Sequence, residues 1–92
     1  MFVLVAYDIS DNRTRDLVAR RLLAMGFSRI QRSVFVARGG GGLARDVERL
    51  VRRFIDPSSD VVHILLIQDR EWSSRIVVGG SGVDEGKPIH VF

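Results

Sequence analysis

The chain opens on an unbroken apolar stretch, Phe2-Val3-Leu4-Val5-Ala6-Tyr7, which stops at Asp8 and is followed by Ile9-Ser10-Asp11-Asn12. Residues that are apolar on whichever side of a pleat they point predict a strand covered on both faces. Ser10, Asp11 and Asn12 are helix-capping residue types, and Leu17, Val18, Leu22 and Met25 then recur at helical spacing up to Gly26, predicting a helix over 12–25. Phe27 to Gln31 and Ser33 to Arg38 read as two short strands or one bent strand, with a hairpin or bulge at the polar Gln31-Arg32-Ser33. Gly39 to Gly42 lacks the lysine-serine ending of a phosphate-cradling loop and reads as a flexible connector. Leu43, Val47, Leu50, Val51 and Phe54 form the clearest helical stripe, predicting a helix over 43–55 that Asp56-Pro57 ends. Asp60 leads into a second two-sided apolar strand, Val61 to Ile67. Beyond it the pattern predicts a helical turn over Asp69 to Ser74 holding Trp72 in a core or interface, a short strand from Arg75 to Val78, a Gly-rich acidic loop over 79–88 and a last strand from Ile89 to Phe92.

Strand, helix, hairpin, helix, strand is the split arrangement of a ferredoxin-like α+β fold, βαββαβ, with both helices on one sheet face and strands one and four expected at its centre. Ninety-two residues, 46% of them hydrophobic, allow one domain with one core, read as a core over 1–68 and a C-terminal segment over 69–92. Helices on one face leave the other bare, yet strands one and four are apolar on both. The expectation is therefore a homodimer packed sheet against sheet, with the additional short C-terminal strand pairing across it.

Composition narrows the class. The chain has no cysteine, which excludes disulfides and fits a cytoplasmic protein, and its longest apolar runs fall far short of a membrane span. Placement of charge says more than the total of +3. Residues 1–55 carry eleven arginines against five acids, whereas residues 56–92 carry three bases against six acids. Arginine has the planar fork that grips phosphate oxygens in pairs, so the basic half is a candidate nucleic-acid surface. Its residues are Arg13, Arg15, Arg20 and Arg21 on the first helix and Arg45, Arg49, Arg52 and Arg53 on the second, the latter partly matched by Asp46 and Glu48.

Asp8 is an acid at the rim of a core. Burying it unpaired would cost several kcal/mol, so it must cap the next helix, face water or hold a cation. A twofold axis through the bare sheet face would bring two copies of Asp8 close, and one or two carboxylates with ordered water are a usual way to hold Mg²⁺. His63 and His90 stand alone on separate strands with no further ligand at metal spacing, and read as packing residues.

These residues resemble the CRISPR-associated protein 2 family, the small dimeric subunit of the spacer-acquisition machinery, over most of the chain to about residue 68. The likeness is carried by Tyr7-Asp8-Ile9-Ser10-Asp11, by Arg13 and Arg15, by Arg29-Ile30-Gln31-Arg32-Ser33-Val34-Phe35, and by Asp60-Val61-Val62-His63-Ile64. It departs from the family pattern at Val36-Ala37-Arg38 and at His63, where an arginine is common. The resemblance implies a ferredoxin-like homodimer with Mg²⁺ at Asp8, the catalytic and metal-binding residue. Tyr7, Arg13, Arg15, Arg29, Gln31, Ser33 and Phe35 are then expected to bind nucleic acid or shape the site. The implied activities are Mg²⁺-dependent endonucleolysis of RNA or double-stranded DNA, or a non-catalytic scaffold that bridges dimers of the CRISPR-associated integrase. The scaffold would use Arg45, Arg49 and Arg52 against a duplex backbone.

Overall fold

The computed structural model describes residues 1–80. In order they form β1 (Phe2–Asp8), α1 (Asn12–Ala24), β2 (Ser28–Gln31), β3 (Val34–Arg38), α2 (Gly41–Phe54), β4 (Val61–Ile67) and a single helical turn, α3 (Asp69–Ser73). The strands make one antiparallel sheet in the order β2-β3-β1-β4, the ferredoxin-like topology expected from the periodicity. Each helical crossover skips one position: β3 fills the place between β1 and β2, and β1 the place between β3 and β4. That geometry sends β4 to the sheet edge, where among the described residues it pairs with β1 alone. The central strands are therefore β1 and β3, and the two-sided apolar sequence of β4 does not reflect a central position.

The two sheet faces differ. On one, Val3, Val5, Tyr7 and Phe35 are buried against Val18, Leu22, Val47 and Val51 of the long helices. Alternation and register place Leu4, Ala6 and Asp8 of β1 on the other face, beside Leu65, His63 and Val61 of β4. Among the described residues only one end of this second face is covered. There α3 seats the buried Trp72 with its ring 5.2 Å from Phe2, while Arg38 lies over Phe2 and Arg75 over Trp72. Asp69 holds both the Met1 amino group and Arg38 at this end. His63, read as core or edge polar packing, is exposed on the edge strand β4 at the open part of the face, as is Leu65.

Local chemistry explains the boundaries. Asp11 caps α1 by accepting bonds from the Thr14 amide at 2.8 Å and the Thr14 hydroxyl at 2.9 Å. At the other end the Phe27 amide reaches the Leu22 carbonyl and the Gly26 amide the Leu23 carbonyl, a paired reversal that requires Gly26 at φ 95°. Between β2 and β3 both expected devices occur together, a turn at Arg32–Ser33 and a register shift between Arg29 and Gln31.

Two further expectations are corrected. The glycine run is not a flexible connector, because α2 begins at Gly41, two residues before the apolar stripe. The Gly39 amide extends the strand pairing by donating to the Met1 carbonyl at 2.9 Å. A Cβ on Gly39 would also lie 2.6 Å from Leu43, so the residue's smallness lets Leu43 pack against the core. Residues 75–78 form no strand: among the described residues they make no ladder with the sheet, Ile76 and Val78 are largely open to solvent, and positive φ at Gly79 and Gly80 turns the backbone. The expected strand from Ile89 to Phe92, with His90, and positions 81–88 of the acidic loop lie outside the described residues. Among the described residues no helix is long and apolar enough to cross a membrane.

Two glycine substitutions should move stability in opposite directions. No atom would meet a Cβ at Gly26 or at Gly42, but only Gly26 has positive φ. Gly26→Ala is expected to cost about 1 kcal/mol through backbone strain, and Gly42→Ala to gain up to about 1 kcal/mol of helix propensity, read from urea midpoints. A loss at Gly42 would mean that the helix does not begin there.

Candidate active site

Asp8 ends β1 opposite Val61 of β4. It is exposed on the open sheet face and has no hydrogen-bond or ion-pair partner among the described residues. The capping role open to it in the sequence belongs to Asp11. A solvated carboxylate with free lone pairs suits a hard cation, which takes one or two protein acids and keeps several waters. Among the described residues no three His, Cys, Asp or Glu side chains group closely enough to hold a metal, so one chain offers a single acid here.

The other side of the strand carries its support. The Tyr7 ring stacks on Phe35 at 5.9 Å and 21°, and the Arg29 guanidinium lies 4.9 Å from the Phe35 centroid. Burial pushes the Tyr7 phenol above its ordinary 10.0, opposed in part by the Arg29 charge beside it, so Tyr7 is neutral at physiological pH. The Tyr7 amide donates to the Ser33 carbonyl at 3.1 Å, which draws the turn after Gln31 alongside the end of β1. Tyr7, Arg29, Ser33 and Phe35 are thus brought together, but Tyr7, Arg29 and Phe35 lie on the helix-covered face, opposite Asp8. Gln31 is exposed at the end of β2.

The arginines divide into two groups. Arg15 is half-buried and structural in its contacts: Nη1 donates to the Ile9 carbonyl at 3.0 Å and Nη2 to the Asn12 side chain. Arg13 is exposed in the first turn of α1. On α2, Arg49 pairs with Asp46 at 2.6 Å and Arg52 with Glu48 at 2.9 Å, whereas Arg45 has no ion-pair partner among the described residues.

One residue near the site was not singled out from the sequence for any role. Asp60 accepts the Ser10 amide at 3.0 Å and the Asp56 amide at 2.9 Å, and the Ser59 hydroxyl reaches it at 3.2 Å. The Ser10 amide first, then that of Asp56, holds its carboxyl below the ordinary 3.8. Asp56 is likewise held down by the Ser58 side chain and amide, and Asp11 by the Thr14 amide and hydroxyl. The available signal was the run Asp56-Pro57-Ser58-Ser59-Asp60, residue types that bond backbone amides, but nothing in it names Ser10, fifty positions away, as a partner.

Comparison with known proteins places these residues in context. The family described as CRISPR associated protein Cas2 matches residues 1–75. A CRISPR-associated endoribonuclease Cas2 from Aeropyrum pernix is 37% identical over 91 residues, covering 99% of this chain and 98% of the relative. A CRISPR-associated endonuclease Cas1/endonuclease Cas2 fusion from Thermoproteus tenax is 42% identical over 62 residues, 66% of this chain and 24% of the fusion. The crystal structure of Streptococcus pyogenes Cas2 superposes with a TM-score of 0.70 at 26% identity, over 87% of this chain and all of that one.

The three hydrogen-bonded carboxylates have a pH signature. Because their folded pKa values lie below the ordinary 3.8, their stabilising contribution is complete above that value and is lost as pH falls through the folded values. They should add no slope to the denaturation midpoint between pH 7 and 5, and should steepen its fall below about pH 4. Asp11→Asn keeps a capping oxygen without its charge and should make that acid limb shallower. An unchanged limb would show that the Thr14 bonds do not favour the ionised form.

Proposed function

The chain belongs to the CRISPR-associated protein Cas2 family, and we propose from that premise that it serves CRISPR adaptation as a Mg²⁺-dependent endonuclease on phosphodiester bonds of RNA or DNA, acting as a homodimer. The observation that carries this reading is Asp8, an exposed carboxylate without a partner among the described residues, on an open sheet face that also presents Val61 and Leu65. An apolar face of this kind favours self-association. A twofold packing through it sets Asp8 of each copy at the common axis, so that the pair supplies the two acids one chain lacks. Asp8 would hold Mg²⁺, which when bound neutralises charge on the scissile phosphate and lowers the pKa of its water.

The chain's own residues have separable tasks. Asp8 would be the hard ligand, and Arg13, exposed at the start of α1, would steady a phosphate. The stack of Tyr7, Phe35 and Arg29 keeps the end of β1 rigid from behind. Relatives named endoribonucleases support the hydrolytic reading, and a relative fused to Cas1 supports a CRISPR-associated integrase as partner.

A second reading, a non-catalytic scaffold on duplex DNA that bridges integrase dimers, is favoured by one specific observation. Arg20 and Arg45 are exposed and have no ion-pair partner among the described residues, so their charge is free for backbone phosphates.

Two measurements test these readings. Asp8→Asn keeps the shape of the side chain and removes its charge, so Mg²⁺-dependent cleavage of labelled RNA or duplex DNA should vanish while a light-scattering mass of twice the chain persists. Cleavage that survives the substitution would remove Asp8 from the reaction. For the scaffold, log duplex affinity against log salt should flatten by about two on Arg45→Ala, which deletes two symmetric contacts at roughly 0.9 each. Arg49→Ala should flatten it less, because Asp46 already neutralises that side chain. Equal, negligible changes at both would take α2 out of the duplex interface.

A further inference from the structure

The turn after Asp8 is held at both ends of a single peptide unit. The Ile9 carbonyl accepts from the Arg15 guanidinium at 3.0 Å, and the amide on the other side of the same peptide bond, that of Ser10, donates to an Asp60 oxygen at 3.0 Å. A cation on the carbonyl and an anion on the amide match the two poles of the peptide dipole, and bonds to charged groups are the stronger kind. The Ile9 side chain is only 2% exposed, so this peptide is pinned by packing as well.

Asp60 is itself fixed. Its second carboxylate oxygen takes the Asp56 amide at 2.9 Å, and its own amide donates to the Asp56 carbonyl at 2.8 Å. The next residue, Val61, is the register partner of Asp8. Asp8 therefore lies between a ladder position at the first residue of β4 and a clamp from the residue just before that strand. Closing the loop after α2 needs only the local bonds between Asp56 and Asp60. The bond to Ser10 goes beyond that need and reaches the one turn that sets how Asp8 leaves β1.

We propose that Asp60 is a positioning residue for the Asp8 site: through the Ser10 amide, and opposite Arg15, it fixes the backbone from which the Asp8 carboxylate is presented to a divalent cation. This rests on the reading of Asp8 as a cation ligand. Residues that orient a ligand without touching the metal typically matter by 10- to 100-fold in affinity or activity. Asp60 touches neither phosphate nor metal, so its effect should fall on Mg²⁺ response and turnover rather than on nucleic-acid affinity.

The test uses the full chain, with Mg²⁺ alone as the probe and backbone amide resonances as the readout, alongside cleavage kinetics. In Asp60→Ala the Ser10 amide should exchange at least tenfold faster. The Mg²⁺ concentration that half-saturates the shift of the Asp8 amide should rise about tenfold, and kcat should fall at unchanged KM. Metal-free duplex affinity should stay as in wild type. Asp60→Asn keeps one acceptor oxygen for Ser10 and should recover most of the response, with a residual shift of about threefold; it decides the matter if the alanine variant does not fold. Ser10 exchange or Mg²⁺ half-saturation that stays at the wild-type value in the folded variants overturns the positioning role alone. A wild-type protein whose Asp8 amide does not respond to Mg²⁺ overturns the cation reading of Asp8, and the positioning role with it.

Discussion

The structure depends on β1 being paired along both edges. It exchanges backbone hydrogen bonds with β3 on one side and β4 on the other, so its seven residues have little freedom except at the end. Its two faces meet different surroundings, because both long helices follow right-handed crossovers and pack on the same side of the sheet. Val3, Val5 and Tyr7 enter the core, while Leu4, Ala6 and Asp8 look out from a face that α3 covers only at the far end. The pairing that makes β1 rigid thus also delivers a carboxylate, unshielded among the described residues, to the sheet's open side.

The arginines illustrate how one residue type is divided between structure and surface. Arg15, Arg29 and Arg38 spend their guanidinium groups on the Ile9 carbonyl, the Phe35 ring and the Phe2 ring, contacts that brace both ends of β1. Arg49 and Arg52 pair with acids one turn away on α2, exposed pairs worth only a few tenths of a kcal/mol that mainly lower the local charge. Arg21 of α1 reaches over the Phe54 ring of α2 and links the two helices, while Arg53 approaches the same ring from within α2. The arginines without such contacts among the described residues are a smaller set than the composition suggests, and Arg20 and Arg45 among them lie one on each long helix.

The hydrophobic pattern was sufficient for the fold class and for the element order as far as Ser73, because periods of two and of 3.6 are imposed by backbone geometry before any packing occurs. It also isolated Asp8, since a charge at the end of an apolar strand conflicts with burial in any fold, and the motifs around it were enough to name the family. Three features were decided only by tertiary structure. The edge position of β4 follows from crossover topology, which composition does not encode. The helical start at Gly41 follows from Leu43 packing over Gly39, a contact that outweighs the poor helix propensity of glycine. The bond between Asp60 and Ser10 joins residues fifty positions apart. Local preference cannot anticipate such a partner, because only the pairing of β4 with β1 brings the two loops to one end of the sheet.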